Sequence, residues 1–167
     1  MKKDNLITVC LLLFSVSLLS SPASALPQAS WWGLSTGQIN VFRNRDLKNT
    51  VFGMEVRFPP LTRWQLTPSA GFQWTNAGFN YLYTDMKYLL TESPHWKLNI
   101  YSGIGLYEES NLIDLGHTIE FRSGIELGYA LDSRRMIALN ISHYSNSRLA
   151  KVNPGTEAMT LIYLQQF

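Results

Sequence analysis

Cysteine is the scarcest residue type in this chain. It occurs once in 167 residues, at Cys10, inside an amino-terminal stretch expected to be removed, so disulfides, thiol catalysis and cysteine metal sites are excluded from the mature protein. Histidine occurs three times, at His95, His117 and His143, without the spacing of a metal-ligand set. Any chemistry is therefore expected to run without a metal or other cofactor. Charged residues make up 16% of the chain, with a formal net charge of +2, which gives no reason to expect nucleic-acid binding. Also missing is any apolar run of the about 20 residues that a membrane helix needs.

The apolar run at the amino terminus, Leu6 to Leu19, is short and interrupted by Thr8, Ser15 and Ser17. It follows Lys2 and Lys3 and precedes Ala23-Ser24-Ala25, the order of a secretory signal with its small-residue cleavage site. Residues 1–25 are expected to be cleaved, leaving residues 26–167 as one domain with 12 basic and 11 acidic residues.

What the chain has in abundance is alternation with period two. Eight such segments are predicted as strands, at 32–43, 50–59, 64–75, 79–90, 96–107, 117–130, 135–147 and 156–167. Tight turns at Pro59-Pro60, Glu92-Ser93-Pro94 and Asp132-Ser133-Arg134 alternate with longer polar connections at 44–49, 108–116 and 148–155. That asymmetry suits an all-β, eight-stranded antiparallel up-and-down transmembrane barrel of the outer membrane, with short periplasmic turns and long external loops. Pro68 interrupts the third strand, where a bulge or irregularity is expected, and the fourth strand breaks strict alternation at Tyr81, Leu82, Tyr83, Leu89 and Leu90.

The two faces differ. Ile119, Phe121, Ile125, Leu127 and Tyr129 oppose Glu120, Arg122 and Glu126, and Phe52, Met54, Val56 and Phe58 oppose Glu55 and Arg57. Trp96, Leu98, Ile100 and Ile104 likewise oppose Lys97, Asn99 and Tyr101. A soluble lipocalin-type barrel would turn the apolar set inward. The charged set carries both signs, which can pair in a narrow interior, and tryptophan and tyrosine gather at strand ends. Both features favour hydrocarbon outside and charge inside.

In the seventh strand Ile137, Leu139, Ile141, His143 and Ser145 share the outward parity, while Ala138, Asn140, Ser142 and Tyr144 point inward; in the eighth, Glu157, Met159, Leu161 and Tyr163 share one parity. A base, a hydroxyl nucleophile and a carboxylate thus continue an apolar band at its outer end. Polar and ionisable groups on a lipid-facing wall are expensive, so three of them on adjacent strands point to work on a lipid. A serine cannot attack an ester without a base to take its proton, and a carboxylate can orient that base.

His143-Tyr144-Ser145-Asn146 and Asn153-x-Gly155-x-Glu157, with the leader, the strand count and the terminal Phe167, resemble the outer-membrane lipid A 3-O-deacylases of the PagL type. The motif covers about the last 25 residues; the barrel resemblance covers the mature chain. The resemblance implies a carboxylic ester hydrolase that removes the ester-linked 3-hydroxyacyl chain from the 3-position of lipid A. It assigns the catalytic roles to His143, Ser145 and Glu157. It also makes Asn153 an oxyanion donor, with Asn146 a second candidate. The family commonly reads Asn-Ala-Gly-Leu after the serine, where this chain has Asn146-Ser147-Arg148-Leu149, so the glycine backbone is replaced by that of Arg148, whose N–H is still expected to be available. Arg43, Arg45, Lys48, Arg148 and Lys151 are candidates for contacts to lipid A phosphates, with solvated loop charge as the other reading.

Two other function classes stay open on the residues alone: a non-enzymatic small barrel serving adhesion or envelope stability, and another outer-membrane lipid enzyme such as a phospholipase or acyltransferase. The partners expected are lipid A and outer-membrane lipid, with no nucleic acid, and a homodimer stays open. His95 and His117 are read as structural.

Overall fold

The computed structural model describes residues 29–42, 48–61, 63–108 and 114–167. The leader at 1–25, Arg43 and Arg45 lie outside the described residues. Eight strands follow one another: β1 (Trp31–Ile39), β2 (Asn49–Arg57), β3 (Leu66–Thr75), β4 (Asn80–Glu92), β5 (Trp96–Glu108), β6 (Ile119–Ala130), β7 (Arg135–Ser145) and β8 (Thr156–Gln166). Each pairs antiparallel with the next, and β8 returns to β1 to close a barrel.

The strand ends have local causes. β1 stops four residues short of its predicted end because Asn40 takes a positive φ of 61°. Gln65, at φ 54°, delays β3, and Ser147 and Arg148, at 51° and 67°, end β7 at Ser145. The irregularity expected at Pro68 is absent: Pro68 pairs Met86 in continuous register. Its carbonyl accepts the Phe58 N–H (2.9 Å). In an antiparallel ladder a residue's N–H and C=O face the same neighbour, so the missing donor falls where β2 has already ended. The register shift lies instead between Leu89 and Thr91, which accounts for the broken pattern at Leu89 and Leu90. Tyr81 and Tyr83 are both inward and buried, so alternation holds through the rest of β4.

Following one hydrogen-bonded row around the barrel measures its stagger. From Tyr144 the row runs through Arg122, Gly103, Asp85, Ser69, Arg57, Trp31 and Gln166. It meets the chain again at Arg134, ten residues nearer the turn end than Tyr144. With about 3.3 Å per residue and about 4.7 Å between strands, that stagger tilts the strands by about 40° from the barrel axis.

The interior is filled in layers. Near the long-loop end Phe79, Tyr81, Tyr107 and Tyr144 pack ring against ring at centroid distances of 5.3–6.1 Å. Gly124 makes room for the ring of Tyr101, since a Cβ there would meet the phenol oxygen at 2.3 Å. Below lies the Arg122–Asp85 ion pair, with the Arg122 guanidinium over the rings of Tyr83 and Tyr101 at 4.3 and 4.7 Å. Deeper still, Arg57 grips Glu126 with two bonds (2.8 and 2.7 Å) and Glu55 with a third (2.6 Å), and Lys87 reaches Glu126 at 3.3 Å. A vestibule of about 320 Å³ lined by Trp31, Arg57, Lys87 and Lys97 opens at the turn end.

The exterior is apolar where a soluble protein would be polar. Leu34, Met54, Met86, Ile100, Ile104, Ile125, Leu139, Ile141 and Leu161 are all exposed. Trp32 meets Tyr163 and Trp96 meets Tyr129 at the turn end, while Phe52, Phe72 and Trp74 cluster toward the other. Exposed aliphatics between two aromatic girdles are what a wall in contact with hydrocarbon requires.

Glu55 and Glu126 balance Arg57 and Lys87, all fully or nearly buried. Replacing Arg57 by Met leaves a surplus buried negative charge and should destabilise the barrel by about 3–5 kcal/mol. The double variant Arg57→Met with Glu126→Gln should recover most of that loss. Urea unfolding from detergent micelles, followed by circular dichroism, measures both.

Candidate active site

Tyr144 sets the orientation of its neighbours. Its ring is fully buried against Phe79 and Tyr81, and its hydroxyl donates to Gln73 Oε1 at 2.6 Å. With Tyr144 anchored inward, period-two alternation turns His143 and Ser145 outward onto the membrane-facing wall. They stand at the long-loop end of β7.

Glu157 is the direct cross-strand partner of His143 on β8. The His143 Nδ1–H donates to Glu157 Oε1 at 3.2 Å, with the imidazole side chain 52% exposed and the carboxylate 25%. This leaves Nε2 as the nitrogen available to a neighbour. Gly155 lies against the same ring at φ +59°; a Cβ there would come within 3.2 Å of the imidazole Cε1 and 3.1 Å of the Tyr144 carbonyl. The sequence pattern contained this glycine without disclosing that it makes room for the imidazole.

Ser145 is half-buried. Its Oγ accepts two N–H groups, from the Ser147 backbone at 3.1 Å and from Asn153 Nδ2 at 3.4 Å. Two donors aimed at the oxygen leave its own proton pointing elsewhere and favour negative charge building on it. His143 lies two residues away on the same face. In this conformation the imidazole and Ser145 share no hydrogen bond, a separation common in unliganded sites, which tighten on binding.

The loop after β7 corrects two expectations. Asn146 points inward and is fully buried. Its amide nitrogen donates to the carbonyls of Leu115 (2.9 Å) and Val152 (2.8 Å), and its amide oxygen accepts the Arg148 N–H (2.9 Å). With all these groups engaged, Asn146 is a clamp joining two external loops, not a donor aimed at Ser145. For the same reason the Arg148 N–H is not available. Leu149 N–H returns to the Asn146 carbonyl (2.9 Å) around Ser147 and Arg148, both at positive φ, the signature of a type I′ turn, which favours glycine or asparagine. Arginine occupies a left-handed position here. Asn153 stands beside Ser145: its Oδ1 accepts the Asn146 backbone N–H (3.1 Å), which steers its Nδ2 toward the serine.

Lys151 lines a cavity of about 500 Å³ between the two loops, with Asp114, Gly116 and His117. Arg148 is exposed on the adjacent turn. His95 stacks on Tyr129 at 5.8 Å, and His117 Nδ1 accepts the Ile119 N–H at 2.9 Å. An imidazole held by a carboxylate, a half-buried hydroxyl on the same face and an amide donor at that hydroxyl form a set able to perform nucleophilic acyl transfer.

A family model described as lipid A 3-O-deacylase (PagL) matches residues 24–164. The lipid A deacylase PagL of Bordetella bronchiseptica is 33% identical over 72 residues, which cover 41% of this chain and 40% of that protein. The chain thus aligns with less than half of that relative's length. Among solved structures, that of the outer membrane enzyme PagL superimposes with a TM-score of 0.60 at 19% identity, over 81% of this chain and 98% of that one. Neisserial surface protein A gives 0.57 at 8%, over 83% and 96%, and a de novo designed transmembrane β-barrel 0.62 at 12%, over 86% and 98%. At these identities the structural likeness establishes the fold, a closed eight-stranded antiparallel barrel of the transmembrane type.

Replacing Asn146 by Ala removes the clamp and orphans buried groups at a cost of about 1–3 kcal/mol each. Amide hydrogen exchange should accelerate together in residues 114–118 and 146–155, with the barrel strands unchanged.

Proposed function

We propose, from the premise that the chain belongs to the PagL family of lipid A 3-O-deacylases, that it hydrolyses the ester at the 3-position of lipid A and releases a 3-hydroxy fatty acid. The observation that carries this reading is the His143–Glu157 pair beside Ser145 on the outward wall. A charged side chain facing lipid costs about 2–4 kcal/mol at the bilayer midplane and about 0–1 near the interface. The pair is therefore tolerable at headgroup height, where the ester bonds of an outer-leaflet lipid lie.

Ser145 Oγ attacks the ester carbonyl while His143 Nε2 takes its proton, and Glu157 stabilises the imidazolium through Nδ1. The tetrahedral oxyanion receives hydrogen bonds from the Asn153 amide. Collapse expels the sugar 3-oxygen, which the imidazolium protonates, leaving an acyl-serine. Water, deprotonated by the same imidazole, then attacks the acyl-serine. The carboxylic acid departs and Ser145 regains its proton. None of these steps requires a cofactor. Arg148 and Lys151, with Arg43 and Arg45, supply the positive charge that would face the lipid A phosphates, and residues 1–25 are the leader removed on export.

Mass spectrometry of lipid A from outer membranes carrying the protein should show loss of one 3-hydroxyacyl chain. Ser145→Ala, His143→Ala and Glu157→Ala should each slow release by about 10³-fold or more, and Asn153→Ala by about 10²–10³-fold. Unchanged lipid A with folded wild-type protein would refute the reading.

A further inference from the structure

The outward parity of β6 is apolar except at Ser123, which pairs directly with His143 across the strands. Its depth relative to Ser145 follows from the barrel's stagger. From Ser145, two residues down β7 reach His143, and one strand across reaches Ser123. Strands and hydrogen-bonded rows tilt in opposite senses from the axis. The sideways parts of the two moves therefore nearly cancel and the axial parts add, placing Ser123 directly beneath Ser145 by about 8 Å.

Repeating the move from Ser123 passes Ile125 and arrives at Ile100, about 16 Å beneath Ser145. Phe121 and His143 flank the upper half of this line, Ile125 and Ser102 the lower half. With the barrel axis taken along the membrane normal, the direction in which lipid chains run, a chain whose ester sits at Ser145 lies over Ser123 and Ile100. Ser123 and its cross-strand partner Ser102 are both exposed, and neither hydroxyl has a partner among the described residues, whereas the outward Thr84 hydroxyl donates to the Ser69 carbonyl at 3.1 Å; of the two serines, Ser123 is the one on the line beneath Ser145. An unpaired hydroxyl in hydrocarbon is disfavoured.

The 8 Å gap has a chemical reading. A carbonyl carbon in attack geometry stands about 3 Å from Ser145 Oγ. Carbon 3 of the acyl chain lies two bonds further down, and a hydroxyl on it comes within the about 2.8 Å of a hydrogen bond to Ser123 Oγ. The geometry points to Ser123 as a specificity-determining residue that hydrogen-bonds the 3-hydroxyl of the chain under attack and so selects 3-hydroxyacyl over unsubstituted esters. This rests on the lipid A reading above.

The test uses the full-length barrel in mixed micelles, with two lipid A substrates that carry at the 3-position either a 3-hydroxyacyl chain or an unsubstituted chain of equal length. The wild type should prefer the hydroxylated ester by about tenfold in kcat/KM, as one neutral hydrogen bond allows. Ser123→Ala should fall about tenfold on that ester and stay unchanged on the other, and Ser123→Thr should retain the preference. A wild type without preference, or an equal fall of Ser123→Ala on both esters, overturns the assignment and leaves the lipid A reading standing. Absence of Ser145-dependent cleavage of either ester overturns both.

Discussion

Closure of the backbone hydrogen-bond ladder is the constraint on which the rest of this structure depends. In hydrocarbon no water satisfies a free N–H or C=O, so the sheet has to pair its last strand with its first. Here β8 bonds β1, and the row through Tyr144 comes back ten residues displaced at Arg134. That displacement sets strand tilt, barrel width and every cross-strand neighbour. His143 faces Glu157 on one side and Ser123 on the other because of it.

A barrel of this width holds side chains and no channel, so the interior behaves as a core built from polar groups. Arg57 bonds Glu126 and Glu55, Tyr83 bonds Glu55 and Tyr101 bonds Asn140, while Asp85 Oδ1, Arg122 Nε and both Glu120 carboxylate oxygens are buried without a hydrogen-bond partner among the described residues. The interior therefore serves stability, and the candidate site stands on the outer wall. The packed Tyr144 connects the two, since its rigid inward seat prevents a register slip that would carry His143 and Ser145 inside.

The candidate site joins a rigid part and a less regular one. The His143–Glu157 pair stands on two strands locked by the ladder, while Asn153 and the Ser147 N–H come from a loop held by the Asn146 clamp and a turn with two left-handed residues. Ser145 sits at the junction, so its surroundings depend on loop contacts from as far along the chain as Leu115.

The amino-acid sequence by itself determined the strand count, the inward and outward parity of β2, β5, β6, β7 and β8, and the shared face of His143, Ser145 and Glu157. The strands and the shared faces follow from a period-two pattern read locally, and which face is outward follows from the mixed charge of one parity and the aromatics at the strand ends. Pairing decided what the pattern could not. Pro68 leaves the ladder intact because β2 has ended beside it, and the irregularity falls at Leu89–Thr91. Asn146 and Asn153 carry the same amide, yet the first is saturated by carbonyls and the second is turned toward Ser145. That Gly155 and Ser123 both adjoin the His143 imidazole is set by loop conformation and strand pairing. These outcomes rest on contacts between segments distant in the chain, and a one-dimensional pattern holds no record of such contacts until closure sets the register.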